Sequence, residues 1–156
     1  MQSARDHGVK NVIVTATSET YGMAQYVPID EKHPAAGKSP YAASKVAADQ
    51  LAISYHPSVG LPFRIVHPLH YSRPRQSARV VLPTIIAQIA SGAKKPKLDN
   101  LTPTRDFAFV KDTVPGFLAL ADSKGACGEP VNIGTGVEIS VGDLARLIAS
   151  LMKVNI

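Results

Sequence analysis

Apolar positions along this chain alternate between a strand period and a helix period. Met1 to His7 reads as the last turn of a helix that ends at Gly8, so the chain starts inside an element. Asn11-Val12-Ile13-Val14-Thr15 follows, a short β-branched run of the kind buried inside a sheet. Val27 to Lys38 holds prolines, Gly37 and mixed charges, and predicts a loop. Tyr41 to Tyr55 carries Ala, Val, Leu and Ile at helical spacing, with Ser39 placed to cap and Pro40 at the first position. Phe63 to Val66, after the Gly60-Leu61-Pro62 turn, is a second strand. Val80 to Ser91 is apolar at helical spacing and stops at Gly92. Phe107 to Val110 is a third strand. Asp112 then caps a helix to Ala121, with Pro115 in its first turn, where a lost N–H does little harm. Val131-Asn132-Ile133 is a fourth strand. Ser140-Val141-Gly142-Asp143 resembles a capping box, with Asp in place of the usual Glu, before a helix from Leu144 to Met152. Strands alternating with helices predict an α/β fold with a mainly parallel sheet.

Composition narrows the class. The chain has 156 residues, 45% hydrophobic and 19% charged, enough apolar material for a buried core. No run approaches the ~20 apolar residues of a membrane-spanning helix. Met1 to Asp6 has no apolar leader, and the single Cys127 excludes an internal disulfide framework. Both point to the cytoplasm. Seventeen Lys and Arg against twelve Asp and Glu leave a net charge of +5, which suits an anionic partner. Lys94-Lys95-Pro96-Lys97 reads as a solvated basic turn. With Arg73, Arg75 and Arg79 it lacks the aromatic interleaving of a nucleic-acid surface. His67-Pro68-Leu69-His70 lacks the helical face that aligns metal ligands, so no metal site is assigned.

The chemistry concentrates in two places. Tyr41 and Lys45 are four apart on the predicted helix and share a face. A cation beside a phenol favours the phenolate, so such a pair can act as a base near neutral pH. Alone, the spacing is far more often that of a solvated helix surface. The strand Val12 to Thr15 runs into Thr17-Ser18-Glu19, and in open parallel sheets ligands bind beyond the carboxyl ends of strands. Two hydroxyls and a carboxylate there can face a substrate. The alternative is that Thr17 and Ser18 bond backbone in a turn, with Glu19 solvated.

Four segments in one order make the pattern specific: Val14-Thr15-Ala16-Thr17-Ser18-Glu19-Thr20-Tyr21-Gly22, Ser39-Pro40-Tyr41-Ala42-Ala43-Ser44-Lys45, Thr104-Arg105-Asp106-Phe107-Ala108-Phe109-Val110-Lys111-Asp112 and Asn132-Ile133-Gly134. Together they resemble the NAD-dependent epimerase/dehydratase family, the extended short-chain dehydrogenase/reductases that act on nucleotide sugars. Thr-Ser-Glu after the strand is similar to the 4,6-dehydratases more than to the 4-epimerases. Arg75 to Arg79 and Leu101 to Phe107 resemble the UDP-N-acetylglucosamine 4,6-dehydratases of legionaminic acid type. The resemblance implies the C-terminal half of a doubly wound, Rossmann-like parallel sheet with part of a small substrate-binding lobe. It places a partial NAD-binding region at 1–71 and a partial substrate-binding region at 72–156. It implies Thr17, Ser18, Glu19, Tyr41 and Lys45 as catalytic residues. Tyr41 would take the 4-hydroxyl proton, Thr17 would bond that hydroxyl and Glu19 would take the carbon 5 proton. Ser18 stands where other dehydratases carry Asp. Thr15, Tyr41, Lys45 and Pro68 would hold NAD, with NADP left open as the alternative cofactor. His70, Arg79 and Arg105 would hold the nucleotide sugar, Arg105 at the pyrophosphate. The implied activity is that of a lyase, a nucleotide-sugar 4,6-dehydratase.

Departures from the family pattern set rival readings beside that one. None of the 11 glycines forms the Gly-rich strand-turn-helix that binds the NAD pyrophosphate. This predicts a truncated chain, short at both ends. The family's Arg before Pro68 is His67, its Asn is His70, and its Tyr-Gly is Ser72-Arg73, a drifted substrate loop. An arginine replacing a glycine of positive φ is hard to tolerate. The rivals are a non-catalytic nucleotide-sugar-binding module and a degenerate remnant. Its protein partner is either a separately encoded N-terminal half or a second copy in a homodimer; neither nucleic acid nor membrane is expected. The purified chain is expected not to bind NAD tightly, because it carries no Gly-rich turn at a helix N-terminus. Calorimetric titration checks this, and micromolar affinity would contradict it.

Overall fold

The computed structural model describes all residues, Met1–Ile156, as two compact units. The first comprises Met1–Leu69 and Lys111–Gly134, the second His70–Val110 and Thr135–Ile156. A division into continuous regions 1–71 and 72–156 therefore does not describe the packing. Lys111–Gly134 returns to the first unit because its strand pairs with that unit's central strand.

After the short helix α1 (Gln2–Asp6), the first unit is built on three parallel strands, β1 (Val12–Thr15), β2 (Phe63–Pro68) and, late in the chain, β6 (Pro130–Ile133), in the order β1-β2-β6. All six positions of β2 are buried, as a strand covered on both faces and paired on both sides requires. The strand runs to Pro68, past the expected end at Val66. A proline is tolerated there because it closes the strand, and the next N–H, of Leu69, donates to the Ile133 carbonyl. Phe63 and Ile65 cluster with Ala52 of α2 (Pro40–Val59). That helix is capped as expected, with Ser39 Oγ accepting the Ala42 N–H at 3.1 Å and Pro40 at its start. Its inward stripe reads Ala42, Lys45, Val46, Asp49, Ala52, Ile53, His56, a 3.6-residue period that carries three polar residues. Arg64 is buried and donates to Asn11 Oδ1 at 2.6 Å and to the Ser123 carbonyl. It thereby ties the start of β1 to the chain just past α4 (Val110–Asp122). The α4 helix begins two residues before Asp112, so Pro115 lies inside it rather than in its first turn.

The second unit pairs β3 (His70–Ser72) in parallel with β5 (Phe107–Phe109), and β4 (Thr104–Arg105) antiparallel with β7 (Ile139–Ser140). Its core joins Ile85 and Ile89 of α3 (Val81–Ala90) to Leu144, Ala145 and Ile148 of α5 (Val141–Leu151). Ser140 caps α5 as expected, accepting the Asp143 N–H at 3.0 Å. The Asp143 carboxylate reaches back to the Ser140 hydroxyl and also meets Arg146, which together hold its pKa below the usual value. Arg73 does not occupy the left-handed region feared for it. Arg75 does, at φ +62, two residues along, where the turn after Pro74 reverses the chain.

One glycine is required close to the sheet's carboxyl end. Gly22 follows the 3₁₀ turn Ser18–Tyr21 with φ +67 and ψ −131. A Cβ there would lie 2.1 Å from the Ala36 carbonyl oxygen. Gly22→Ala is expected to destabilise by about 1–3 kcal/mol through backbone strain alone, with the clash adding to it. Phe63→Ala, at a fully buried β2 position, is expected to cost about 3–5 kcal/mol. Denaturant midpoints at unchanged slope check both.

Candidate active site

β1 ends at Thr15, and two residues later the chain enters the 3₁₀ turn Ser18–Tyr21. Thr17 caps that turn. Its Oγ1 accepts the Glu19 N–H at 3.3 Å, and its carbonyl accepts the Thr20 hydroxyl at 2.8 Å. The turn-bonding role weighed for Thr17 is therefore present, but it uses an acceptor lone pair and not the hydroxyl proton. Ser18 is half-buried and Glu19 is exposed.

The first turn of α2 carries Tyr41, which is 52% exposed and so open to a ligand. Lys45 stands one turn on. Its ammonium lies 5.9 Å from the Tyr41 ring centroid and donates to the Thr15 carbonyl at 3.1 Å. That bond joins α2 to the end of β1. It uses one of three ammonium donors. Pro68 is buried at the matching end of β2. The first unit thus brings Thr15, Lys45 and Tyr41 together where parallel strands end, and α2 also packs against the turn bearing Ser18 and Glu19.

The remaining candidates lie in the second unit. Arg105 Nε donates to His70 Nε2 at 3.1 Å, and Nη1 donates to the Thr104 carbonyl at 2.6 Å. Asp106 next to it accepts the Thr135 and Gly136 N–H groups, each at 2.8 Å, and the Thr135 hydroxyl at 2.6 Å. Arg79 is exposed in the turn before α3, its own N–H donating to Ser77 Oγ at 3.3 Å. His70 and Arg105 are brought into contact; no bond of the Arg79 side chain accompanies them.

Sequence reasoning missed a buried polar network beneath this end of the sheet. His67 is not on a drifted loop: it belongs to β2, is 4% exposed, and bonds on both sides. Its Nε2 lies 3.0 Å from Asp49 Oδ2 and its Nδ1 lies 2.8 Å from the Tyr21 hydroxyl. The Tyr21 hydroxyl in turn donates to Asn132 Oδ1 at 2.8 Å. Burial is the main cause that pushes the Tyr21 phenol up to about 12. Asp49 Oδ1 is buried and accepts no hydrogen bond, so the carboxylate depends on His67 for its compensation. One signal was available: Asp49 interrupts the apolar stripe of α2, four residues after Lys45.

Comparison with known proteins agrees with this layout. The family model described as GDP-mannose 4,6 dehydratase matches residues 1–155. A dTDP-glucose 4,6-dehydratase of Streptomyces griseus is 31% identical over 95% of this chain and 45% of its own length. The human dTDP-D-glucose 4,6-dehydratase is 32% identical over 98% of this chain and 43% of its own. A double mutant of the dTDP-glucose 4,6-dehydratase DesIV from Streptomyces venezuelae, solved with NAD and DAU bound, superposes with a TM-score of 0.86 at 27% identity. That superposition covers 99% of this chain and 48% of DesIV. The chain spans about half the length of the relatives it matches. With the match running from residue 1 to residue 155 over a parallel α/β sheet of the expected kind, the chain belongs to the GDP-mannose 4,6 dehydratase family.

Proposed function

We propose that this chain carries the catalytic end of an NAD-dependent nucleotide-sugar 4,6-dehydratase. The observation that supports the reading most directly is the junction of β1, the Ser18–Tyr21 turn and α2. There an exposed phenol and an ammonium stand at the carboxyl end of β1, on a helix packed against the turn that carries the exposed Glu19.

The residues fit the nicotinamide end of the cofactor. Lys45, anchored on the Thr15 carbonyl, has donors left for ribose hydroxyls, and Tyr41 stands beside it. When bound, NAD supplies the hydride acceptor for oxidation at carbon 4 and the donor that closes the cycle. Tyr41 takes the proton of the sugar 4-hydroxyl, and Lys45 places a positive charge next to the phenol as negative charge develops on it. Thr17, whose oxygen is already held by the Glu19 N–H, turns its proton toward the same sugar oxygen. Glu19 removes the carbon 5 proton, which a 4-keto group makes acidic, and returns that proton to the carbon 6 hydroxyl, which leaves as water while a double bond forms between carbons 5 and 6. Ser18 occupies the position of an acid but offers only a hydroxyl, which cannot match the acid strength of a carboxyl. Arg105 and His70 supply paired cation and imidazole to a nucleotide diphosphate, with Arg79 a further cation. The sugar and base belong to the nucleoside-diphosphate hexose class.

Glu19 is what separates this reading from 4-epimerisation, which needs no base at carbon 5. The test uses the chain with the Gly-rich first half of the fold supplied by fusion. Tyr41→Phe is expected to abolish reduction of NAD in single turnovers, a loss of about 10²–10⁴-fold. Glu19→Gln is expected to keep that oxidation and accumulate a 4-keto sugar without loss of water. Equal loss in both variants overturns the separate roles, and epimerised product from the unsubstituted fusion selects the epimerase reading.

A further inference from the structure

Asn132, Tyr21, His67 and Asp49 form one sequence of hydrogen bonds, and the direction of each follows from the one before. The Asn132 amide meets the Ile29 carbonyl at 3.3 Å and the Tyr21 hydroxyl at 2.8 Å. A carbonyl only accepts, so Nδ2 faces Ile29 and Oδ1 faces Tyr21. Oδ1 only accepts, so Tyr21 commits its one proton to Asn132. The phenol keeps that proton at any neutral pH, since burial has pushed it up to about 12. Tyr21 therefore meets His67 Nδ1 as an acceptor, 2.8 Å away, and Nδ1 must carry a hydrogen. On the far side of the ring Nε2 faces a carboxylate oxygen at 3.0 Å. A proton shared there rests on nitrogen, because a carboxylic acid is ordinarily a much stronger acid than imidazolium.

We infer that His67 acts as a positioning residue with both ring nitrogens protonated, clamping Tyr21 to Asp49 and so fixing the turn that carries Thr17, Ser18 and Glu19. A neutral imidazole has one hydrogen for two acceptors, so one of the two contacts becomes acceptor against acceptor and opens. Tyr21 is the last residue of that turn, and its hydroxyl is joined to β2 through His67 and to β6 through Asn132. A cavity of about 320 Å³ beside the network is lined by Glu31, Asp49 and Glu129 as well as His33 and His67. His33 is a contrast. Its Nε2 accepts the Gln25 N–H at 2.9 Å and its Nδ1 faces the Pro34 carbonyl at 3.2 Å, a pattern met by one proton. The functional consequence rests on the dehydratase reading of Thr17 to Glu19; the bond directions do not.

The test is nitrogen-15 NMR of the purified 156-residue chain. At neutral pH both His67 ring nitrogens are expected in the protonated range, and His33 with one. Raising the pH until His67 loses a proton is expected to shift the backbone amides of Glu19, Thr20, Tyr21 and Gly22 along the same titration curve. His67→Arg presents donors in more than one direction and does not titrate. It is expected to hold those amides at their low-pH positions and to remove the titration. His67 with a single protonated nitrogen at neutral pH overturns the proposal. So does a His67 titration that leaves the four amides unmoved. If His67→Arg does not fold, the wild-type titration alone decides. An inactive fusion with these signals present counts against the dehydratase reading and not against the clamp.

Discussion

The first unit depends on β2 being buried along its whole length. A strand with no exposed position must satisfy every polar group it carries from within the protein. β2 carries two polar side chains, Arg64 and His67, and each faces a different element. Phe63, Ile65 and His67 alternate toward α2, where they meet Ala52 and Asp49; Arg64 projects to the other face and reaches Asn11 and the Ser123 carbonyl. The strand thus sets the register of β1 and β6 through its backbone and ties helices to both faces through its buried polar residues.

The polar ends of this strand do different work. The Arg64 bonds close the end where β1 begins, and they join backbone and amide groups with no carboxylate involved. The His67 bonds lie near the end where β1 gives way to the Ser18–Tyr21 turn. There the same demand for satisfied polar groups recruits Tyr21 from the turn and Asn132 from β6. The turn held from below carries Ser18 and Glu19 and is capped by Thr17, the residues proposed to act on the sugar. Gly22 allows the chain to leave the turn at an angle that a side chain would block.

Much of this was legible in the residues. The strand at Val12–Thr15, the capped helix from Pro40 and the Ser140 cap follow from local signals: β-branching, proline at a first turn, a hydroxyl three residues before an N–H. Tyr41 and Lys45 needed only the helical repeat to fall on one face. Element ends were less legible. Asp112 and Pro115 carry the signature of a helix start, yet α4 begins at Val110, because packing can begin a helix earlier than its best cap.

Local signals suffice for the α/β alternation and the chemistry-bearing segments, because period, caps and turn residues act over a few positions. They also bring the return of Asn132-Ile133-Gly134 to view as a segment, but not its place. Long-range packing places β6 beside β2, makes His67 a buried ring rather than a loop residue, and gives it Asp49 as partner. The physical reason is sequence distance. Tyr21, Asp49, His67 and Asn132 belong to a turn, a helix and two strands, and no local preference links them. They meet because parallel register sets Asn132 opposite His67, and because a buried ring needs a hydrogen-bond partner at each of its nitrogens.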